Sequence, residues 1–347
     1  METTQIRLAA YPVGEPKDSD FETVTVDLPE LQEGQVLLRS VYLSLDPYMR
    51  GRMSQAKSYA ASLALGDVVL GGTVCEVVES RAENRKVGDL VLAFIGWQTH
   101  AVVDARQMKG LDPSVAPFST APISTALGVL GMPGFTAYAG LLEIGKPAEG
   151  ETVVVAAAAG PVGSAVGQIA RLKGARSVGI AGGPEKVALL RDRFGFDVAL
   201  DHRSPTFADD LKAATPDGVD VYFENVAGPV GEAVLRRTNT YARVPVCGLV
   251  ANYNATSAPE SSLSFPGFMN LVLSRSLTVR GFIQDEFTQS HGADFAREMG
   301  QWVSEGKVAY LEDVVDGLDH AVDAFRGLLT GRNVGKLLVK VGEDPTR

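Results

Sequence analysis

A nearly uncharged run, Glu151-Thr152-Val153-Val154-Val155-Ala156, leads straight into Ala157-Ala158-Ala159-Gly160-Pro161-Val162-Gly163. The spacing A-x-x-G-x-x-G is a shifted relative of G-x-G-x-x-G. Small residues at a strand-to-helix turn let backbone N–H groups and the positive helix N-terminus approach a pyrophosphate closely. Gly163, followed by Ser164 and Gly167, also lets the helix pack tightly on the strand. Pro161 lacks an N–H but fits the first helical turn, where that donor has no helical partner. Alone, the pattern also describes a small-residue turn that binds nothing. Its place after an apolar strand and before a helix favours a dinucleotide. The second strand ends in Ile180-Ala181-Gly182-Gly183, where an NAD enzyme usually offers a carboxylate to the ribose hydroxyls. Here the first carboxylate is Glu185, and Lys186 follows at once. A cation in that place suits a 2′-phosphate and favours NADP over NAD, the alternative being a lysine that merely faces solvent.

Other chemistries lack their residues. His100, His202, His291 and His320 are scattered, with no H-E-x-x-H or C-x-x-C, so a zinc site is not expected and the metal assignment is none. No G-x-S-x-G elbow is present, and Cys75 and Cys247 both fall inside apparent strands, which argues against a nucleophile-based hydrolase. Two cysteines cannot build a disulfide scaffold, so a reducing compartment is expected. With 32 basic against 42 acidic residues the chain carries −10, which makes duplex DNA or an anionic membrane an unsuitable general partner. The start, METTQIRLAA, has no continuous apolar core and does not read as a secretory signal. Residues 113–142 carry no charge, but Pro113, Pro117, Pro122 and Pro133 break them into loop plus short buried helix rather than a membrane span. A cytoplasmic protein is expected.

The elements that must position the turn form two patterns. With 347 residues, about two domains are expected. Residues 1 to about 125 read as short strands punctuated by Gly and Asp: 36–43, 68–70, 73–78 and 87–94. From about 130, apolar strands alternate with amphipathic helices: strand 151–156, helix 162–173, strand 178–180, helix 185–194, strand 198–200, helix 207–214, strand 219–223, helix 230–235 and strand 243–247. Uniformly apolar strands of this kind mean a parallel sheet covered on both faces. The fold class is therefore α/β, a β domain plus a doubly wound nucleotide-binding domain. Helices are expected at 295–305 and 318–329, and a last strand at 336–341 that either extends the nucleotide sheet or returns to the β domain.

Further motifs complete the picture: Leu45-Asp46-Pro47-Tyr48-Met49-Arg50-Gly51-Arg52-Met53, and Gly131-Met132-Pro133-Gly134-Phe135-Thr136-Ala137-Tyr138. Tyr222-Phe223-Glu224-Asn225-Val226, Cys247-Gly248 with Tyr253-Asn254, Arg280-Gly281-Phe282 and Gly331-Arg332-Asn333-Val334-Gly335-Lys336 follow in order. The ordered set resembles the zinc-independent medium-chain dehydrogenase/reductases over nearly the whole chain. The nearest group is that of leukotriene hydroxydehydrogenase, prostaglandin reductase and the 2-alkenal and curcumin double-bond reductases.

That resemblance implies a GroES-like domain at 1–128 completed by 300–347, and a Rossmann NADP-binding domain at 129–299. It also implies NADPH-dependent reduction of a carbon–carbon double bond conjugated to a carbonyl, usually in a homodimer. By position, Gly160, Pro161, Val162 and Gly163 hold the pyrophosphate, while Gly182, Lys186 and His202 belong to the 2′-phosphate end. Asn225, Cys247, Gly248, Tyr253, Phe282 and Asn333 line the nicotinamide half, and Met132, Pro133 and Thr136 approach the cofactor. Two positions depart from the pattern: Asp201-His202-Arg203 stands where the family commonly has Tyr, and Pro161 where Ala is more usual.

The substrate expected is a small enone or alkenal, with hydride added to its β-carbon. Tyr253 is the first candidate donor to the developing enolate oxygen and Tyr48 the second. Either is otherwise a buried aromatic whose hydroxyl finds a backbone partner. A quinone reductase or alcohol-oxidising relative on the same scaffold, and a non-catalytic NADPH-binding sensor, are the alternatives. Pocket size is expected to depend on the loops at 54–65 and 255–268.

Overall fold

A computed structural model describes residues 1–257 and 261–347, so part of the 255–268 loop lies outside the described residues. The chain divides into two compact units, residues 1–127 with 312–347, and residues 128–311.

The first unit opens with β1 (Glu2–Leu8) paired antiparallel to β2 (Phe21–Asp27). β3 (Gln35–Ser44) is long and almost wholly buried. After it come α1 (Tyr48–Arg52), β4 (Thr73–Ser80), β5 (Leu90–Ala93), β6 (His100–Asp104) and β7 (Lys109–Leu111). Residues 68–70 form no strand, contrary to the sequence expectation. Val68 makes only an isolated bridge to Arg7. Val69 is apolar because it is buried beside Ile6 and Trp97, whose backbones it bonds at 2.9 and 2.8 Å.

The second unit begins with α2 (Met132–Ala139), which runs into a wider π turn at Gly140–Gly145. The uncharged run 113–142 is thus broken as its prolines require, and among the described residues no helix is long and apolar enough to cross a membrane. Strand and helix then alternate: β8 (Thr152–Val155), α3 (Pro161–Leu172), β9 (Arg176–Ala181), α4 (Pro184–Asp192), β10 (Val198–Asp201), α5 (Phe207–Ala214), β11 (Val219–Phe223), α6 (Gly228–Leu235), β12 (Thr238–Val246), α7 (Phe265–Ser274), β13 (Thr278–Gly281) and α8 (Thr288–Ser304). The strands form one parallel sheet in the order β10-β9-β8-β11-β12-β13. Val153, Val154, Val155, Val221, Tyr222 and Phe223 are all at 0% exposure, the burial on both faces that their composition demands. From β8 the chain winds outward to β9 and β10, then crosses back to β11. The carboxyl ends of β8 and β11 therefore flank the switch point, where open α/β sheets bind ligands.

α8 starts at Thr288 rather than 295, because its polar first turns carry no apolar period to betray them. Its Phe295 ring packs on Phe135 and Tyr138 of α2 at 5.3 and 5.7 Å, which ties the helix to the second unit. The chain accordingly re-enters the first unit at Glu312 rather than near 300.

β14 (Glu312–Asp316), a 3-10 turn at Leu318–His320, α9 (Ala321–Leu329) and β15 (Lys336–Lys340) complete the first unit. The helix expected over 318–329 takes this tighter turn first, as helix starts commonly do. β15 pairs parallel with β14 and antiparallel with β3, so the last strand returns to the β unit. The sheet order there is β14-β15-β3-β4-β5-β7, with β6 on β3.

Candidate cofactor and active site

The small-residue turn leaves β8 through Ala157 at φ 50, and Ala158 donates to the Ile180 carbonyl of β9 at 2.9 Å. α3 starts with Gly160 as N-cap and Pro161 in its first turn, and no side chain caps it. Its first-turn donors are therefore left to face an anion. Gly163 is needed for close approach: a Cβ there would stand 2.5 Å from the Ala157 carbonyl oxygen and 2.7 Å from the Ala158 Cα. Both are backbone atoms, so any side chain would push the turn off the helix.

Beside it, Gly182 and Gly183 separate β9 from α4, and Lys186 lies in the first turn of that helix. A Cβ on Gly182 would meet His202 Nε2 at 2.7 Å and Arg203 Nε at 2.9 Å, so both side chains from the end of β10 lean over this glycine. Asp201 accepts the N–H groups of Gly183 and Arg203, each at 2.9 Å, and these bonds hold its carboxyl below the usual range. His202 is held below the ordinary imidazole value by partial burial first, then by the Arg203 charge, with Lys186 adding a weaker push. Three basic side chains thus converge at the N-terminus of a helix, an end that favours negative charge. The residues fit a dianionic phosphate.

At the switch point Asn225 follows β11 and donates its Nδ2–H to the Ala156 carbonyl at 2.8 Å, linking it to the start of the phosphate turn. Cys247 and Gly248 follow β12, both bonded to the Glu224 carbonyl. The Cys247 thiol is pushed up to about 12 by burial and by the Glu224 charge, so it stays protonated and is no nucleophile. Tyr253 closes the 3-10 turn at Val250–Asn252 and is half-buried, with its hydroxyl 3.5 Å from the Leu249 N–H. In α2, Pro133 is buried and Met132 is 37% exposed, while the Thr136 hydroxyl donates back to the Met132 carbonyl at 2.8 Å. The Phe282 ring stacks edgewise on Phe223 and against Phe287, and lies so near Gly140 that a Cβ there would touch it at 2.4 Å.

In the first unit Tyr48 starts α1 and Asn333 precedes β15, and both sit at one end of the paired strands β3 and β15. Burial, reinforced by Asp46, raises the Tyr48 phenol and keeps it neutral. Asn333 donates to the Gly335 carbonyl at 2.9 Å. What joins the two turns is a pair given no role by the sequence reading. Lys336, 2% exposed, donates to Asp46 Oδ1 at 2.9 Å and to the Leu45 carbonyl at 2.7 Å, and Ser44 donates to the second Asp46 oxygen. Both residues stand in the quoted motifs, and their opposite charges in otherwise apolar strand ends were the available signal.

Two family models match, described as the N-terminal domain of oxidoreductase over residues 4–111 and zinc-binding dehydrogenase over residues 161–305. Among the described residues no group of three or more His, Cys, Asp or Glu is placed to hold a metal ion. The NADPH-dependent curcumin reductase of Escherichia coli (strain K12) is 50% identical over 340 residues, which cover 97% of this chain and 96% of the relative. Prostaglandin reductase 1 of Bos taurus is 43% identical over 330 residues, covering 94% and 96%. The crystal structure of CurA in complex with NADPH from Vibrio vulnificus superposes with a TM-score of 0.93 at 49% identity, covering 98% of this chain and 100% of that one. The chain belongs to the zinc-independent medium-chain dehydrogenase/reductases and is an oxidoreductase.

Proposed function

We propose that this protein uses NADP(H) to reduce the carbon–carbon double bond of α,β-unsaturated aldehydes and ketones. The observation that carries the cofactor is the cluster of Lys186, His202 and Arg203 around Gly182, beside an uncapped helix N-terminus and in place of a ribose-binding carboxylate. The relatives named as NADPH-dependent curcumin reductase and prostaglandin reductase 1 support a reductase acting on small molecules.

Bound NADPH supplies a hydride for the β-carbon of the acceptor. As charge gathers on the acceptor's carbonyl oxygen, the Tyr253 hydroxyl donates a hydrogen bond to it, and a donor aimed in advance lowers the barrier. Water or the same hydroxyl then protonates the α-carbon. Tyr48 is the second candidate donor, its phenol kept protonated by burial. Gly163 lets the phosphate turn lie close against α3, and Asn225 braces it.

Tyr253→Phe is expected to lower kcat on an enone about 100- to 1000-fold, the range for one lost donor to a developing oxyanion. NADPH affinity should stay within about twofold, since a phenol and a phenyl fill the same space. The assay follows NADPH absorbance across 2-alkenals, aryl enones, quinones and secondary alcohols. Unchanged turnover removes Tyr253 from the reaction, and turnover confined to quinones or alcohols overturns the substrate class.

The protein works as a homodimer in this reading and resides in the cytoplasm. The edge strand β13 is exposed along its whole length. Phe265 (75%) and Leu273 (80%) of α7 add apolar surface in the same unit. An unpaired sheet edge with apolar neighbours is a template for pairing with a second copy. Leu273→Glu is expected to halve the mass read by sedimentation velocity; a wild-type chain that sediments as a monomer overturns the dimer.

A further inference from the structure

Glu224 follows β11 directly, 6% exposed, and the chemistry above gives it no part. One carboxylate oxygen accepts the N–H groups of Val226 at 2.7 Å and Ala227 at 2.9 Å. The other points to Gly231 of α6, where a Cβ would come within 2.4 Å of it. The backbone carbonyl of the same residue accepts the N–H groups of Cys247 at 2.9 Å and Gly248 at 3.2 Å. Glu224 therefore holds two loops at once, the one after β11 with its side chain and the one after β12 with its main chain.

The first loop needs holding. Ala227 lies at φ 66, ψ −157, a conformation open to glycine and strained for a residue with a Cβ. Gly228 follows at φ 61. Alanine stays there only because its surroundings over-determine it, and the bond from its N–H to the buried carboxylate is one such restraint. The carbonyls of Asn225 and Val226, in that same turn, accept the N–H groups of Val250 at 3.2 Å and Ala251 at 3.1 Å. The shape of the 225–228 turn is thereby passed to the segment ending at Tyr253.

The ionisable groups facing the carboxyl are the Tyr222 hydroxyl and the Cys247 thiol, neither of them a cation. Burial raises the Glu224 carboxyl, and the N–H groups of Ala227 and Val226 pull against that rise. A folded-state value above the unfolded one means that the ionised form costs stability as pH rises through it.

We propose that Glu224 is a positioning residue: its carboxylate clamps the 225–228 turn, and through it the 247–253 segment, in the arrangement that receives the nicotinamide half of the cofactor. This rests on the NADPH reading above. Glu224 itself touches neither cofactor nor substrate, so its loss should separate the two halves of the cofactor.

The test titrates the full-length protein with NADPH by nicotinamide fluorescence, and with 2′-phospho-ADP-ribose, which lacks the nicotinamide, by calorimetry. Glu224→Ala is expected to weaken NADPH about tenfold, the scale of one or two lost hydrogen bonds, and to leave 2′-phospho-ADP-ribose within about twofold. Glu224→Gln keeps an accepting oxygen and should restore NADPH to within about threefold of wild type, with no fall in Tm at pH 8. Gly231→Ala presses on the carboxylate while leaving Glu224 in place, and should reproduce the selective NADPH loss even where Glu224→Ala does not fold. Equal weakening of both ligands would mark a merely structural role and overturn the proposal, as would no weakening in Glu224→Ala and Gly231→Ala. Wild type that binds 2′-phospho-ADP-ribose but discriminates nothing at the nicotinamide half overturns the positioning role alone. Wild type that binds neither ligand overturns the cofactor reading together with it.

Discussion

Lys186→Ala is expected to weaken NADPH binding about 10- to 150-fold while NADH changes by less than about threefold. The range is that of one lost charge-assisted hydrogen bond, about 1.5–3 kcal/mol. Lys186 stands in the first turn of α4, an end where a cation is disfavoured by the helix dipole. Its charge nevertheless reaches His202, and Arg203 leans over the same glycine. Such a gathering of like charges is relieved when a dianion sits among them. Because NADH brings no 2′-phosphate, the substitution removes nothing from its binding. Fluorescence titration of both coenzymes measures the ratio, and raising salt should narrow it, since a partly exposed charge pair is screened. An equal loss for NADPH and NADH would show that Lys186 supports the turn rather than the phosphate.

The second large effect is on stability. Asp46→Ala should destabilise the protein by about 3–5 kcal/mol, because it leaves the Lys336 ammonium buried with only neutral acceptors. Replacing both partners, as Asp46→Leu with Lys336→Met, should cost far less, since removing a buried pair altogether spares its desolvation. Urea unfolding of the three proteins gives the comparison. A single variant as stable as wild type would mean that the pair is not what holds the turns at Tyr48 and Asn333. Residual activity in the double variant then reports separately how far those turns have drifted.

The small-residue turn between β8 and α3 was readable from sequence because the demand on it is local. Gly163 lacks a side chain where the backbone of the turn and the helix come within van der Waals reach of each other, and such a demand falls on one residue by itself. Helical periodicity likewise marked α5, where Leu211 and Ala214 form the one buried face. It marked α3 by its apolar spacing, although that helix is buried all round from Gly163 to Ala170. The exposed first turns of α8 carried no such signal, and the stretch at 68–70 carried a false one. Val69 is apolar because it lies beside Trp97, and burial in a loop leaves the same mark on composition as burial in a strand.

Composition and spacing determined the doubly wound domain and the small-residue turn between β8 and α3, and the missing ribose carboxylate pointed to NADP(H). Tertiary structure alone decided that β15 lies between β14 and β3, that Lys336 meets Asp46 across 290 positions of chain, and that Glu224 braces the strained Ala227. Local conformation follows from side-chain size and backbone freedom within a few residues. The partner of a buried charge is set by which distant segments the packed sheets bring together, and neither residue of such a pair records the other in its own neighbourhood.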